Sequence, residues 1–224
     1  MFSRLEILIG DKINILHNKK VIVFGIGGVG GYAVEMLARS GIGSITLVDY
    51  DNVDLTNKNR QIIALDSTIG RPKVEVMKER INDFNRDCKV VAINDKLTTD
   101  NILDFNLNDY DYILDAIDMV TSKINLITYA HTNNIPCISS MGVGNRIGIP
   151  EFEICDIYKT QGDGLAKVLR KKLRENSISS HNVVFCKNQA EPKGDIIGSI
   201  AYYPAIAGCM MASKVIDDLL KGDK

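Results

Sequence analysis

Three glycines, Gly25, Gly27 and Gly30, follow the apolar run Lys20–Phe24 and precede a helix-forming stretch from Tyr32 to Ser40. In the order strand, glycine turn, helix, this G-x-G-x-x-G spacing lets the backbone approach phosphate. It also points the free N–H groups of a helix N-terminus at anionic oxygen. Asp49 ends the next apolar run, where an acid can hold a ribose hydroxyl. A long polar loop from Asp49 to Gln61 then carries Arg60 near its end, and Lys73 opens the next helical stretch after Gly70-Arg71-Pro72. The glycine motif alone does not separate a dinucleotide from ATP. Two cations suit a triphosphate, whose charge builds on the leaving pyrophosphate when the α-phosphorus reacts. Asp118 follows the run Tyr112–Ala116, at the carboxyl edge where open sheets bind ligands, and a carboxylate there can hold Mg²⁺ bridging phosphates.

The elements that must position these groups are legible as an alternation. Apolar runs at Lys20–Phe24, Ile45–Asp49, Val90–Ile93, Tyr112–Ala116 and Pro136–Ser140 read as strands. Between them Tyr32–Ser40, Lys73–Phe84, Asn101–Phe105 and Lys123–Thr132 read as helices, with Val74, Met77 and Ile81 on one face of the second. A short amphipathic helix with polar interruptions is expected over Phe2–Leu16. Strands alternating with helices give an α/β fold: a Rossmann-like, doubly wound, mainly parallel sheet covered on both faces. After Gly148 the pattern changes. Glu151–Ile157 alternates like an antiparallel strand, so a C-terminal antiparallel extension is expected. The organisation reads as a single unit over 1–224. A nucleotide-binding core spans 1–150, a polar, basic loop-and-helix segment 151–195, and a strand and helix 196–224.

The chain has 224 residues, 45% hydrophobic and 25% charged, with a formal charge of −1. That composition excludes wholesale disorder and a uniformly basic nucleic-acid binder, but not a local basic patch. Such a patch exists. Lys159, Lys167, Arg170, Lys171, Lys172 and Arg174 face a single acid, Asp163, so 159–174 carries +5 and the remainder −6. A cationic helix of this kind can neutralise RNA phosphates or simply be solvated. Aromatic interleaving is absent, so base stacking is not indicated.

Cys88, Cys137, Cys155, Cys186 and Cys209 contain no C-x-x-C pair, so no zinc site is expected. Their odd number and the lack of a signal sequence point to the reducing cytoplasm. Cys186 is the best candidate for a nucleophile, with a bland buried thiol as the stronger reading. Cys137 and Cys209 read as packing. His17, His131 and His181 fall on unrelated elements and are assigned no role. Residues Ile196 to Ser213 carry no charge, but two glycines, a proline and serines within them favour a core strand and helix over a stable membrane insertion.

GIGGVGGYAVEMLARSGIGSITLVDYDNVDLTNKNRQ, GRPK and LDAID together resemble the ThiF-type adenylyltransferases, the family of ubiquitin-activating enzymes and of the bacterial activators of sulfur carriers. The resemblance covers roughly the first 150 residues. It implies that Asp49 binds ribose, that Asn57, Arg60 and Lys73 bind the ATP phosphates, and that Asp118 holds Mg²⁺. Gly25, Gly27, Gly28, Gly30, Asp51 and Gln61 complete the implied ATP site. Arg4 is similar to the family's arginine that reaches the phosphates of a partner subunit, which implies a homodimer. Within the family, NRQIIALDSTIGRPKVEVMKERI, DIYKTQGDGLAKVLRKKLR and GSIAYYPAIAGCMMASKVI resemble the branch that dehydrates threonylcarbamoyladenosine in tRNA. Two departures stand out: Gly164, where that branch leads one to expect proline after Asp163, and a shorter stretch between the basic helix and the final apolar segment.

The implied reaction begins with adenylation of the substrate carboxylate by ATP. Ring closure by the substrate's own carbamoyl group follows, so no enzyme nucleophile is required. Lys167, Arg170, Lys171, Lys172 and Arg174 would contact the tRNA. The alternative is adenylation of the C-terminal carboxylate of a small ubiquitin-like sulfur carrier. A nicotinamide-dependent oxidoreductase is disfavoured by Arg60 and Lys73, and a non-catalytic binding module by the presence of Arg60, Lys73 and Asp118. Docking of a sulfurtransferase, a monovalent cation in the later loops and membrane contact of the uncharged segment stay open.

Overall fold

Buried parallel strands need apolar residues on both faces, and the short runs rich in Val, Ile and Leu supply them. In the computed structural model, which describes residues 1–191 and 197–222, the chain opens with helices α1 (Ser3–Ile9) and α2 (Ile13–His17). Gly10, at φ +59°, breaks what the sequence suggests as one helix. Then follow β1 (Lys20–Phe24), α3 (Gly28–Arg39), β2 (Ser44–Val48), α4 (Lys73–Phe84), β3 (Lys89–Ile93), β4 (Tyr112–Asp115), α5 (Val120–Thr132) and β5 (Cys137–Ser140). The last part comprises β6 (Phe152–Asp156), α6 (Gly164–Glu175), β7 (Asn182–Cys186) and α7 (Tyr202–Lys221).

The strands form one sheet in the order β3-β2-β1-β4-β5-β7-β6. All neighbours are parallel except the β6–β7 pair. The winding direction reverses between β1 and β4, so a crevice opens at their carboxyl ends, the usual ligand position of such sheets. Alternate residues of β1 serve both faces. Val21 and Val23 pack with α3, α4 and α7, while Ile22 and Phe24 pack with α5. A third cluster joins β7 to the apolar stripe Ala166, Leu169 and Leu173 of α6. Helix α7 lies directly on α3: a Cβ at Gly208 would stand 2.3 Å from the Val29 carbonyl oxygen, so only glycine permits this approach.

Two features differ from the sequence reading. The segment read as loop and helix over 151–195 also holds β7, which joins the expected antiparallel extension to the parallel sheet alongside β5. Its five residues sit in a polar stretch, which hides them from a periodicity reading. The strand expected from Ile196 is not formed over 197–201; Ile196 itself lies outside the described residues. Residues 197–201 instead run to the ligand crevice, where Ile197 and Ser199 line its wall.

Candidate active site

The glycine turn is built by steric exclusion. Gly25 has φ +87°, and a Cβ there would stand 2.7 Å from the Ala116 carbonyl oxygen. A Cβ at Gly30 would stand 1.7 Å from the Gly25 carbonyl oxygen. The turn therefore folds tightly over the end of β4 and delivers the N-terminus of α3 to a cavity of about 590 Å³. Gly25, Gly27 and Gly28 line this cavity and Gly30 closes the turn behind it.

Asp49, at the end of β2, fixes the turn. Its carboxylate accepts from the Ile26 N–H at 2.6 Å and from the Asp51 N–H at 2.9 Å. Four lone-pair sites on a carboxylate leave room for a further donor, such as a ribose hydroxyl. In the polar loop, Asp54 caps the short 3₁₀ turn Leu55–Asn57, and the Asn57 side-chain oxygen accepts from the Asp54 N–H in return. That leaves the Asn57 amide nitrogen as the available donor. Arg60 donates to the Thr56 carbonyl at 2.9 Å and to Asn59 Oδ1 at 3.0 Å, which holds its guanidinium at the cavity wall. Lys73, buried at the start of α4, reaches Asp51 Oδ2 at 2.7 Å. Asn57, Arg60, Gln61, Lys73, Asp51 and Asp118 all line the one cavity.

Gln61 lines the cavity and keeps one acceptor unpaired. Its Oε1 is the one buried side-chain polar atom among the described residues without a hydrogen-bond partner. An unsatisfied buried acceptor costs about 1–3 kcal/mol.

Further lining residues were not legible beforehand. Tyr50, Asp95, Lys96 and Leu97 come from the loops after β2 and β3, and Ser122 from α5. Ser122 Oγ donates to the Leu97 carbonyl at 2.6 Å and closes the apolar end of the cavity near Phe24 and Val48. The Tyr50 phenol is raised above its ordinary pKa by Asp51 first, then by its partial burial and by Asp118 and Asp49. The shift reflects three carboxylates, Asp51, Asp118 and Asp49, gathered near this phenol.

Behind the cavity lies a buried polar chain that spacing could not reveal. Lys123 and Asp115, both fully buried, form an ion pair at 2.8 Å, and the ammonium also donates to the Ser140 carbonyl at 3.1 Å. Ser139 Oγ donates to Asp115 Oδ2 at 2.6 Å and therefore accepts from His181 Nε2 at 2.8 Å. His181 Nδ1 then accepts from His131 Nε2 at 3.3 Å. Two of the three histidines left unassigned in sequence are thus joined. Burial pushes the His181 pKa down to about 3, with His131 and Lys123 adding to the shift. The set is not a nucleophilic triad: the serine proton points to the carboxylate rather than to the imidazole, and Ser139 is fully buried.

The remaining sequence candidates fall as follows. Arg4 lies exposed on α1 and does not line its own chain's cavity. On α6, Lys167 and Lys171 are exposed, whereas Arg170 is half-buried and donates to the Thr160 carbonyl at 2.9 Å and to its hydroxyl. Lys172 pairs with Glu175 at 2.8 Å, and Arg174 stacks over Tyr158. Cys186 is buried on β7, and burial raises its thiol pKa, so it is unsuited to nucleophilic attack. Among the described residues, no cluster of three His, Cys, Asp or Glu side chains suits a metal, and no helix is long and apolar enough to cross a membrane.

The chain is 41% identical over 240 residues to the tRNA threonylcarbamoyladenosine dehydratase of Bacillus subtilis (strain 168), covering 98% of this chain and 94% of that protein. The crystal structure of the E. coli tRNA N6-threonylcarbamoyladenosine dehydratase in complex with ATP superposes with a TM-score of 0.93. It is 34% identical, over 99% of this chain and 94% of that one. The molybdopterin-synthase adenylyltransferase of E. coli (strain K12) is 29% identical over 181 residues, 80% of this chain and 70% of that protein. The sequence profile of the ThiF family matches residues 3–223, and the chain belongs to that family.

Proposed function

We propose that this chain is an ATP-dependent enzyme that dehydrates threonylcarbamoyladenosine in tRNA to its cyclic form, through an acyl-adenylate of the substrate carboxylate. The observation that carries this reading is the convergence of Asn57, Arg60, Gln61, Lys73 and Asp118 with the glycine turn in one cavity. Support comes from the near full-length similarity to a tRNA threonylcarbamoyladenosine dehydratase and from the shared fold with an ATP complex. The more distant likeness to a carrier-protein adenylyltransferase agrees with the same first chemical step.

A carboxylate is a poor acyl donor. Attack of its oxygen on the α-phosphorus of ATP forms the acyl–phosphate bond and releases pyrophosphate. Asp49 orients the ribose. The helix N-terminus at Gly27–Gly28, with Asn57, Arg60 and Lys73, holds the phosphates and stabilises the charge on the leaving group. Asp118 would hold Mg²⁺, whose charge would help to offset that of the leaving phosphates. The carbamoyl group of the same substrate then attacks the activated acyl carbon. A ring bond forms, the acyl–phosphate bond breaks, AMP leaves, and the carbamoyl N–H proton passes to water. An internal nucleophile has a high effective concentration, so the reaction needs no attacking cysteine, in keeping with the burial of Cys186.

The exposed Lys167 and Lys171 on α6 would neutralise tRNA phosphates, with the other basic residues of that helix held by internal partners. Arg4 serves the cavity of a second copy in a homodimer. The exposed Ile7 and Leu8 beside it on α1 fit an element that a partner covers. Five free thiols suit a cytoplasmic enzyme.

ATP–pyrophosphate exchange tests the reading. Exchange is expected only with tRNA bearing the threonylcarbamoyl group, and it is expected to vanish in Asp118→Ala. Exchange driven equally by unmodified tRNA contradicts it. Mixed Arg4→Ala and Asp118→Ala subunits should regain activity in the heterodimer; no recovery there rejects shared sites.

A further inference from the structure

The cavity wall opposite the nucleotide loop is the segment Ser140–Gly144, and a buried guanidinium controls its backbone. Arg146 donates through Nη1 to the Gly142 carbonyl at 2.6 Å and to the Gly144 carbonyl at 3.2 Å. Its Nε donates to the Asn188 carbonyl at 2.8 Å, and its Nη2 meets Asp163 Oδ2 at 3.2 Å. Both side chains of that ion pair are 3% exposed. Asp163 in turn caps α6, accepting from the Ala166 N–H at 2.8 Å. Arg146 is buried, and four of its five N–H donors go to this segment and to the groups beside it.

The consequence lies in the peptide unit that follows Gly142. In a trans peptide the C=O and the next N–H point in opposite directions. With the Gly142 carbonyl turned onto Arg146, the Val143 N–H is turned away from that guanidinium, and Val143 is one of the residues that line the cavity. The segment is pinned at both ends, by the Met141 N–H on the Val184 carbonyl at 2.9 Å and the Asn145 N–H on the Gly198 carbonyl at 2.8 Å. Between those anchors, the N–H groups of Gly142, Val143 and Gly144 have no protein acceptor among the described residues. A side chain at either glycine would meet a close neighbour. A Cβ at Gly142 would stand 2.9 Å from Asp163 Oδ2, and one at Gly144 would stand 2.3 Å from Ile197 Cγ2. Strands β4 and β5 are neighbours, with Asp115 opposite Ser139. The segment therefore leaves the sheet alongside Ala116–Met119, which carries Asp118.

We infer that Arg146 is a positioning residue that presents the Val143 N–H to the acyl carbonyl oxygen of the adenylated substrate, so that the donor stabilises the oxyanion of ring closure. This rests on the proposed dehydration. As the carbamoyl group bonds to the acyl carbon, that carbonyl oxygen takes up negative charge. The charge collapses when the bond to AMP breaks, and a fixed backbone donor favours the charged stage over the ground state.

Arg146→Lys tests the inference. A lysine can keep the charge pair with Asp163 but lacks the planar fork that holds two carbonyls and a third acceptor. ATP affinity and tRNA-dependent ATP–pyrophosphate exchange should stay within about threefold of wild type, whereas ring closure falls about 100-fold. AMP should then appear without the cyclic nucleoside, because the stalled adenylate hydrolyses. Ring closure at the wild-type rate in a folded variant overturns the inference, as does a parallel loss of exchange and ring closure. If Arg146→Lys does not fold, replacing Val143 by its α-hydroxy acid removes only the N–H; the same split is expected, and unchanged ring closure overturns the inference. A wild-type enzyme that forms no cyclic nucleoside would instead reject the underlying dehydration reading.

Discussion

Lys73 is buried at the head of α4 yet reaches Asp51, half exposed in the polar loop, at 2.7 Å. The pair places a cation on the cavity wall with its partner facing solvent, so an arriving phosphate can share the ammonium. Lys73→Met should slow pyrophosphate release about 10²–10³-fold, the usual cost of one lost electrostatic contact to a developing charge. Rapid-quench measurement of pyrophosphate reads this directly, and a variant releasing it at the wild-type rate would remove Lys73 from the chemistry.

Asp115 and Lys123 make the opposite kind of pair, closed to solvent on both sides. Lys123→Met strands a buried carboxylate and should cost about 3–5 kcal/mol in urea unfolding. Adding Asp115→Asn should recover most of that loss, since no buried charge is then left unpaired and the amide oxygen can still accept from the Ser139 hydroxyl, as Asp115 Oδ2 does at 2.6 Å. Equal stability of the single and double variants would show that the pair is not coupled.

His181 should give the acid limb of the stability curve. Its folded pKa is depressed to about 3 by burial, against roughly 6.5 when unfolded. Between those values the unfolded state binds the extra proton, so stability falls as pH drops through that window, by at most about 1.4 kcal/mol per pH unit from this group. Burial depresses His131 in the same direction. In His181→Gln the protein should be less stable at neutral pH and lose less on acidification, as followed by Tm between pH 7 and 4. An unchanged slope contradicts the assignment.

On α6, charge reversal at Lys167 and Lys171 should raise KM for tRNA, leave KM for ATP unchanged and shallow the salt dependence of tRNA binding by about one unit per cation. Arg170→Ala should act differently: its guanidinium is tied to Thr160, so the loss appears as lower stability. Equal tRNA binding by the Lys167→Glu, Lys171→Glu variant would move the RNA contact elsewhere.

The nucleotide half of the site was legible because its parts are local. A glycine turn, the acid that ends β2 and a capped polar loop each announce themselves within a few residues. The opposite half was not. His131 and His181 meet only because β7 slots beside β5, and Arg146 acts on carbonyls that any residue type could present. Cys186 is buried on β7, in line with the stronger of its two sequence readings. Assembly across strands, rather than spacing along the chain, made those contacts.

The central claim is a loss of water from one nucleoside, and mass spectrometry of digested tRNA measures it most directly. After incubation with ATP and Mg²⁺, threonylcarbamoyladenosine should become lighter by one water, with AMP released in equal amount. An unchanged nucleoside mass, together with adenylation of a carrier peptide ending in Gly-Gly, would contradict the account.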